Sequence, residues 1–361
     1  MSKGRVLVAM SGGVDSSAAA AILVEQGYEV IGVIMQVWDY NKSSCEITEG
    51  SGTCCSSIDV EDARSVADTL DIPFYVMNCE AKFKSKVIDP FIDNYLEGKT
   101  PLPCVDCNTY LKFDHLLRKM EELDCDYLAT GHYASVEKDK FGNSVVVTSA
   151  DDWKDQTYFL FTLPQEILPK LLFPIGDMEK PKVRAYAEKA GLGVARKKDS
   201  TGICFVGNMG YANFIEKNSD RDLSGLDGEF KLYPNGESFG SHKGVHHYTY
   251  GQRRGLGLSY HKPLFVIKTD PKTKEVWLGE EKYLFKQKLE ITDPLLHTEI
   301  EDGEKVNVKI RYSHRGAPAR IRKKNNNNIE VEFEESQRAI TPGQAAVFYR
   351  ENQLLGGGWI L

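Results

Sequence analysis

The chain has 361 residues, of which 41% are hydrophobic and 27% charged, a composition typical of a soluble protein with two or three domains. Its formal net charge of -7 argues against a general polyanion binder, so contacts with nucleic acid should come from local basic patches. We expect a cytoplasmic protein without membrane contacts, because no leader and no apolar stretch of membrane-spanning length is apparent. A monomer is the default expectation for its oligomeric state.

The first half of the chain alternates apolar strand patterns with helical periodicity. The predicted elements are strands at 5–10, 29–35, 74–77 and 127–130, helices at 15–26, 59–70, 80–96 and 110–123, and a loop at 39–57. Strands separated by helices of this length predict a doubly wound parallel sheet that is covered on both faces. Ligands of such sheets bind beyond the carboxyl ends of the strands.

The second half of the chain has a different pattern. Helical periodicity continues at 182–190 and 211–217, and beyond residue 226 short apolar runs alternate with Gly, Pro and Asn. Runs at 264–267, 276–278, 306–311 and 329–333 predict strands, and the asparagines at 325–328 predict a hairpin loop. We therefore expect an α/β fold with an N-terminal parallel-sheet domain at 1–206, a small, mainly β central domain at 207–284 and a C-terminal β-barrel at 285–361.

The segment that follows the first strand has a phosphate-binding pattern. It reads Ser11-Gly12-Gly13-Val14-Asp15-Ser16-Ser17. Paired glycines let the backbone turn sharply and approach a ligand, and the next helix presents unpaired N–H groups and its positive dipole end to an anion. Asp15 can hold a metal ion or cap the helix. The spacing differs from the Walker-A loop and resembles the pyrophosphate loop (PP loop) of ATP pyrophosphatases, which cleave ATP between its α- and β-phosphates.

The chain has eight cysteines, which in a reducing compartment indicate redox chemistry, a metal site or buried thiols rather than a disulfide framework. Cys79 and Cys125 lie in or beside apolar segments, which favours a structural role. Cys45, Cys54 and Cys55 have no second Cys or His pair at ligand spacing, so they stay unassigned.

Two other cysteine segments carry stronger signals. Residues 100–108 predict a proline-stiffened loop leading into a helix at Tyr110, whose dipole should lower the pKa of a thiol at its N-terminus. Residues 199–205 place Cys204 near a glycine, with the basic residues 196–198 upstream as a source of positive potential. A Cys-x-x-Cys pair can also be coincidence, and a lone cysteine is often a small buried hydrophobe, so the residues alone leave these alternatives open.

An ordered set of motifs resembles the bacterial tRNA-specific 2-thiouridylases, the MnmA/TrmU family. The motifs are residues 11–17, Cys107-Asn108 with Lys112-Phe113, Gly131-His132-Tyr133-Ala134, residues 154–160, 199–205 and 250–256, Thr341-Pro342-Gly343-Gln344 and Gly356-Gly357-Gly358. The resemblance implies a transferase that uses ATP and Mg²⁺ to thiolate the wobble uridine of tRNA. ATP would adenylate the C2 oxygen with release of pyrophosphate, and sulfur would then replace that oxygen with release of AMP.

The resemblance also implies roles for single residues. Cys204 matches the persulfide carrier, and Cys107 matches the nucleophilic thiol that attacks the persulfide and forms a transient disulfide with Cys204. The residues that match the ATP site are Ala9, Met10, Ser11, Gly12, Gly13, Val14, Asp15, Ser16, Met35 and Gly131. Those that match contacts to tRNA or its target base are Leu102, Pro103, Cys104, His132, Lys154, Asp155, Gln156, Arg311, Tyr312 and Gln344.

A basic run at 309–324, interleaved with Tyr312, agrees with RNA binding. The alternative is one solvated strand face that the acidic stretch at 330–335 balances. We favour RNA binding because Gly251-Gln252-Arg253-Arg254 offers a second basic turn. The resemblance further implies lysine, glutamate and glutamine tRNAs as substrates, and a cysteine desulfurase or a sulfur-relay protein as the donor.

The chain departs from its relatives at two positions. Many have Asn where this chain has Leu102, and some have Asp where it has Cys104. The second departure supplies a third thiol, so Cys104, Cys107 and Cys204 are candidate ligands of a 4Fe–4S cluster with one open iron, which would carry sulfur without a persulfide.

Two other classes of function stay open. An ATP-dependent amide-forming synthetase can use the same loop, but it would not need Cys107 or Cys204. A non-catalytic module that binds RNA or a metal would release no pyrophosphate when tRNA is added. Both alternatives are therefore separable from sulfur transfer by assay.

Overall fold

The computed structural model describes residues 3–37, 57–199, 202–324 and 327–361. The chain forms two compact units. The first comprises Met1–Val87, Cys104–Asn208 and Asn352–Leu354, and the second comprises Ile88–Pro103, Met209–Glu351 and Leu355–Leu361. Cys45, Cys54 and Cys55 and most of the predicted loop at 39–57 lie outside the described residues.

The first unit is built on a parallel sheet. The strands of this unit are β1 (Arg5–Met10), β2 (Glu29–Gln36), β3 (Phe74–Asn78), β4 (Tyr127–Thr130), β5 (Ala134–Lys138), β6 (Ser144–Thr148) and β7 (Leu171–Leu172), and all except β5 and β6 belong to the parallel sheet. The sheet order is β3-β2-β1-β4-β7, and each neighbouring pair is parallel. The apolar runs of β1 and β2 are buried because helices cover the sheet, which confirms the predicted α/β class.

Eight α-helices are described along the chain. They are α1 (Val14–Glu25), α2 (Ser57–Thr69), α3 (Glu80–Phe83), α4 (Asp89–Leu96), α5 (Pro103–Asp106), α6 (Asp114–Glu122), α7 (Lys180–Lys189) and α8 (Tyr211–Asn218). Wider π-helical turns at Lys84–Ile88 and Cys107–Phe113 lead into α4 and α6. Helix α1 is buried over most of its length, because its run of alanines lets it pack closely within the core of this unit.

Two details of the first unit differ from the prediction. The helix expected from Tyr110 begins earlier, at Pro103, because proline suits the first turn of a helix, where its missing N–H costs nothing. Residues 100–108 are therefore a loop only up to Pro103. The antiparallel hairpin β5–β6 was not predicted, and its turn forms where the Asp139 carboxylate accepts hydrogen bonds from the backbone N–H groups of Phe141 (2.8 Å) and Asn143 (2.9 Å).

The second unit contains two β structures. Its strands are β8 (Gly228–Leu232), β9 (Glu237–His242), β10 (Phe265–Asp270), β11 (Glu275–Gly279), β12 (Phe285–Leu296), β13 (Lys305–Lys309), β14 (Ala317–Lys323), β15 (Ile329–Arg338), β16 (Ala345–Arg350) and β17 (Gln353–Ile360), the last of which begins in the first unit. Four form a sheet of order β10-β11-β8-β9. The other six follow the order β12-β15-β14-β13-β16-β17, and pairing of β12 with β17 closes them into the predicted C-terminal barrel.

The basic run of the barrel is partly neutralised by carboxylates on strands β15 and β12. Strands β14 and β15 pair from Ala319–Phe333 to Lys323–Ile329, so the asparagine-rich segment joins a hairpin as predicted, although Asn325 and Asn326 lie outside the described residues. Arg322 pairs with Glu332 (3.2 Å), and Lys324 pairs with Glu290 (2.6 Å). For these two cations the structure supports the solvated strand face rather than an RNA contact.

None of the described helices has both the length and the apolar character needed to cross a membrane.

Candidate active site

The segment of residues 11–17, called the PP loop below, lies at the point of the sheet where the strand order reverses. It connects β1 to α1, and β1 lies between β2 and β4. Ligands of parallel α/β sheets bind in the crevice at this point, beyond the carboxyl ends of the strands. Met35, near the carboxyl end of β2, and Gly131, directly after β4, lie at the same end of the strands. The residues predicted for ATP therefore lie together at the carboxyl ends of the strands.

Hydroxyl groups inside the PP loop fix its conformation. The hydroxyl of Ser16 accepts a hydrogen bond from the backbone N–H of Ser11 (3.1 Å) and contacts the Ser11 hydroxyl (3.1 Å). The hydroxyl of Ser17 donates to the carbonyl of Gly13 (2.8 Å). Because Gly13 caps α1 without a side chain, the first N–H groups of the helix face the loop, where an anion can bind them.

Two glycines allow backbone to approach this loop. Gly12 has φ +66, and a Cβ there would overlap the backbone carbonyl of Asp59. A Cβ on Gly131 would lie 2.5 Å from the backbone nitrogen of Ser16. The end of β4 can therefore pack against the first turn of α1 only if residue 131 has no side chain.

Asp15 takes part in an ion cluster instead of capping α1. Both of its carboxylate oxygens accept hydrogen bonds from Lys180 Nζ (2.8 Å each), and one also accepts from the Tyr133 hydroxyl (2.9 Å). The Lys180 ammonium, 10% exposed, also pairs with Asp199 (2.8 Å). Lys154 (2.7 Å) and Arg184 (2.6 Å) complete the cluster around Asp199.

Although burial alone would raise the pKa of Asp199, hydrogen bonds from Lys154 and Lys180 lower it to about 2. This carboxylate therefore stays ionised at neutral pH and connects Lys154 to the lysine that holds Asp15. The segment that leads to Cys204 is in this way tied to the PP loop.

Lys197 makes a second connection between the same two segments. Its ammonium donates to the carbonyl of Gly12 (3.0 Å) and to the carboxylate of Asp59 (2.6 Å), and it also pairs with Asp62. Arg196 pairs with Glu188 (2.6 Å). Acidic partners therefore offset the charges of these two residues, and the positive potential that residues 196–198 would supply to Cys204 stays a prediction.

The cysteines predicted for sulfur transfer lie in the first unit. Cys104 is exposed, and Cys107, three residues along the same helical segment, is half-buried, as is Cys204. Phe205 packs edge-on against Phe83 (ring centroids 5.5 Å apart). Burial is the main cause that raises the pKa of the Cys79 thiol to about 11, and the nearby Cys107 sulfur adds to this increase. Both cysteine segments thus lie beside the stretch 79–83.

Cys79 and Cys125 are buried, as predicted for structural thiols. Burial is the largest cause that raises the pKa of Cys125 to about 11. Neither thiol is a nucleophile at neutral pH, because only the thiolate attacks.

The Asp106 carboxyl lies directly before Cys107, and burial raises its pKa to about 7. In the unfolded chain an aspartate has a pKa of about 4. The unfolded state therefore ionises first, and the native state loses stability as the pH rises from about 4 to about 7. Asp106→Asn removes this titration. In urea unfolding, we expect the variant's free energy of unfolding, relative to that of the wild type, to be about 1–2 kcal/mol more favourable at about pH 8 than at about pH 5. An equal difference at the two pH values would contradict the shifted pKa.

The residues predicted to face tRNA in the first unit are not equally accessible. His132 is buried, with Nδ1 2.7 Å from the Thr130 hydroxyl, and burial, aided by Lys112, lowers its pKa well below the usual range. Asp155 is 4% exposed and accepts a hydrogen bond from the Thr157 hydroxyl (2.9 Å), so its carboxylate supports the local turn, and its contact with tRNA stays a prediction. Gln156 accepts from the backbone N–H of Tyr133 (3.0 Å).

The remaining predicted tRNA contacts lie in the second unit. Leu102 and Pro103 are buried, and the Gln344 amide donates to the carbonyls of Thr100 (3.1 Å) and Pro101 (3.3 Å) just before them. Arg311 donates to the carbonyl of Arg338 (3.0 Å), and Tyr312 is 39% exposed. Gln344 therefore supports the backbone that precedes Leu102.

Sequence reasoning missed Lys180, and it identified Lys197 only as a basic residue upstream of Cys204, not as a contact of the PP loop. Lys180 begins a helix with no motif of its own, and its partner Asp15 is far away in sequence. Tyr133 belongs to the motif at residues 131–134, which does not reveal that its hydroxyl contacts Asp15. Only the fold brings these groups together.

Three family models match the chain. They are a tRNA methyl transferase HUP domain at residues 4–208, a tRNA methyl transferase PRC-barrel domain at 213–280 and an aminomethyltransferase beta-barrel domain at 286–360.

Curated relatives match over the full length. The tRNA-specific 2-thiouridylase MnmA of Geotalea uraniireducens (strain Rf4) is 48% identical over 99% of this chain and 94% of its own. The protein of that name from Clostridioides difficile (strain 630) is 46% identical over 99% of this chain and 98% of its own.

Proposed function

This chain belongs to the tRNA-specific 2-thiouridylase family, and we propose that it replaces the C2 oxygen of a tRNA wobble uridine with sulfur. The observation that carries the proposal is the double connection between the PP loop and the segment leading to Cys204. Lys197 binds Gly12, and Asp199 binds the lysine that holds Asp15. A reaction that first activates an oxygen with ATP and then delivers sulfur needs these two segments in one site.

ATP is the first substrate, bound at residues 9–16 with Met35 and Gly131 alongside. The first turn of α1 offers N–H groups and the positive end of its dipole to the phosphates. The Asp15 carboxylate provides a hard oxygen ligand at the same place, which fits Mg²⁺. Bound Mg²⁺ would neutralise charge on the phosphates as pyrophosphate departs.

The adenylation step forms a bond between the C2 oxygen of the uridine and the α-phosphorus of ATP, and breaks the α–β phosphoanhydride bond. The target base must be splayed out of the anticodon stack to reach the loop. Adenylation matters because an oxygen on a pyrimidine carbon is a poor leaving group until it leaves with AMP.

Sulfur transfer follows on the two cysteines. A sulfur donor, either a cysteine desulfurase or a relay protein, first places a persulfide on Cys204. The terminal sulfur attacks C2, and AMP leaves with the oxygen. The Cys107 thiolate then attacks the Sγ atom of Cys204, which releases 2-thiouridine and leaves a Cys107–Cys204 disulfide. A thiol reductant restores both cysteines, and lysine, glutamate and glutamine tRNAs are the proposed substrates.

An iron–sulfur route is the second candidate, because Cys104 and Cys107 lie one helical turn apart and Cys204 supplies a third thiol. These donors fit a 4Fe–4S cluster, which would hold a sulfur on its open iron. Anaerobic reconstitution followed by visible and EPR spectroscopy should then show a cluster that Cys104→Ser prevents. Full thiolation by rigorously iron-free protein would exclude the route.

Pyrophosphate release tests the proposed function. Purified protein with ATP and Mg²⁺ should release pyrophosphate when bulk tRNA is added, and tRNA that already carries 2-thiouridine should give none. Release that does not depend on tRNA would favour an amide-forming synthetase, and no release at all would favour a binding module. Nucleoside mass analysis separates exchange of oxygen for sulfur from the methyl addition that the family-model descriptions name.

A further inference from the structure

Three potential metal ligands converge in the second unit, in a part that sulfur transfer does not use. Glu216 lies on α8, and His246 and His247 lie on the short helical turn Val245–His247. One ligand atom from each lies within 4.8 Å of the other two. Among the described residues this is the only group of three or more His, Cys, Asp and Glu side chains that meets this distance.

The spacing of the three groups matches a coordination shell. The Nε2 atoms of His246 and His247 lie 3.4 Å and 3.0 Å from the same carboxylate oxygen of Glu216. Ligand atoms at about 2.0–2.1 Å from a tetrahedral zinc ion are about 3.3 Å apart. The two nitrogen-to-oxygen distances are close to this value, and all three ligand atoms lie within 4.8 Å of one another, so one ion can bind them once the side chains move together around it.

Burial and charge favour a cation at this position. The side chain of His246 is 2% exposed, whereas those of His247 and Glu216 are 25% and 42% exposed, so the ligands close one side and leave the other open to water. One carboxylate and two imidazole rings offer a divalent cation a negative charge and two nitrogen ligands.

The Nε2 atom of the His246 ring contacts the Glu216 carboxylate. Its Nδ1 atom is buried without a hydrogen-bond partner, so no hydrogen bond at that nitrogen fixes the tautomer. Adjacent residues of a chain usually point their side chains apart, yet the rings of His246 and His247 lie 4.4 Å apart and face one oxygen. The backbone holds this arrangement, because the Tyr211 hydroxyl donates to the carbonyl of His247 (2.8 Å).

We propose that Glu216, His246 and His247 bind a zinc-class divalent ion with water in its open position. Imidazole and carboxylate together suit Zn²⁺, and three protein ligands leave one position of the ion to water. It links α8 to the turn that precedes the basic segment Gly251–Arg254, and the Thr249 hydroxyl, which donates to Tyr211 (3.4 Å), lies between them. The ion holds this basic segment in place and takes no part in sulfur transfer.

Zinc titration of the full chain tests the proposal. The thiols are first blocked with iodoacetamide, so that Cys104, Cys107 and Cys204 cannot bind the metal. Isothermal titration with ZnCl₂ then compares the wild type, His247→Ala, Glu216→Gln and the control His261→Ala, which removes an exposed histidine outside the cluster. Thermal melts with and without ZnCl₂ provide a second measurement, because an ion that binds the native state raises its melting temperature.

We expect the wild type and His261→Ala to bind one equivalent of Zn²⁺ and to melt at a higher temperature with it. His247→Ala and Glu216→Gln should bind at least about tenfold more weakly and gain no thermal stability. Melts without metal show whether each variant is folded, and Glu216→Gln keeps the shape of the native side chain. No binding by the wild type, or unchanged binding by both variants, would overturn the proposal.

Discussion

Cys204→Ser should abolish formation of 2-thiouridine while pyrophosphate release that depends on tRNA continues. Serine cannot carry a persulfide, but the PP loop and its ion cluster are unchanged, so the uridine is still adenylated. Both products can be measured in one reaction, pyrophosphate by a coupled assay and 2-thiouridine by mass analysis of the digested tRNA. Cys125→Ala is the matched control, because that thiol is buried in the same unit and takes no part in the chemistry.

Cys107→Ser should stop the reaction one step later. Without the second thiol, the sulfur attached to C2 stays linked to Cys204, and tRNA accumulates on the protein through a disulfide that dithiothreitol cleaves. A gel without reductant detects this adduct, and the control variant should not form it. Full turnover of Cys107→Ser or Cys204→Ser would contradict the assigned roles and favour an ATP-dependent enzyme that does not need them.

Gly131→Ala should strongly weaken ATP binding although residue 131 has no side chain to contact the nucleotide. The added Cβ would lie 2.5 Å from the backbone nitrogen of Ser16, so the end of β4 and the first turn of α1 must separate. Overpacking of this kind costs about 1–3 kcal/mol. We expect at least about a tenfold loss of affinity for a non-hydrolysable ATP analogue, since a factor of ten is about 1.4 kcal/mol.

Gly193→Ala is the control for this substitution, because a Cβ there meets nothing within 4 Å. It lies in the same unit, on the short turn Gly193–Arg196. Equilibrium dialysis measures the affinity, and thermal melts show whether the loss comes from the loop or from general unfolding. Wild-type affinity and stability in Gly131→Ala would mean that the loop and β4 do not pack as described.

The sequence allowed prediction of those parts of the fold that depend on local pattern. Strands β1 and β2 are apolar runs buried on both faces, and α1 is marked by its alanines and by the glycines before it, so their positions were predicted to within two residues. The closed barrel was predicted from alternating runs separated by turn residues. The start of the helix at Pro103 was wrong because a proline stiffens a loop and begins a helix equally well.

The ion cluster around the PP loop could not be predicted from any motif. Asp15 meets Lys180, and Gly12 meets Lys197, only after the parallel sheet has placed α1 beside α7 and the segment that follows it. The reverse holds for Asp155, which a motif selected and which the fold buries. Neighbours in space decide whether a charged residue faces a ligand or supports a turn, and a single sequence does not contain them.

Sulfur content of the tRNA nucleosides tests the central claim most directly. The purified protein is incubated with ATP, Mg²⁺, a persulfide-generating sulfur source and bulk tRNA that lacks the modification, and the digested nucleosides are then analysed by mass spectrometry. We predict 2-thiouridine in lysine, glutamate and glutamine tRNAs, formed only when ATP is present. Complete absence of 2-thiouridine, with the protein folded and able to bind ATP, would contradict the assignment.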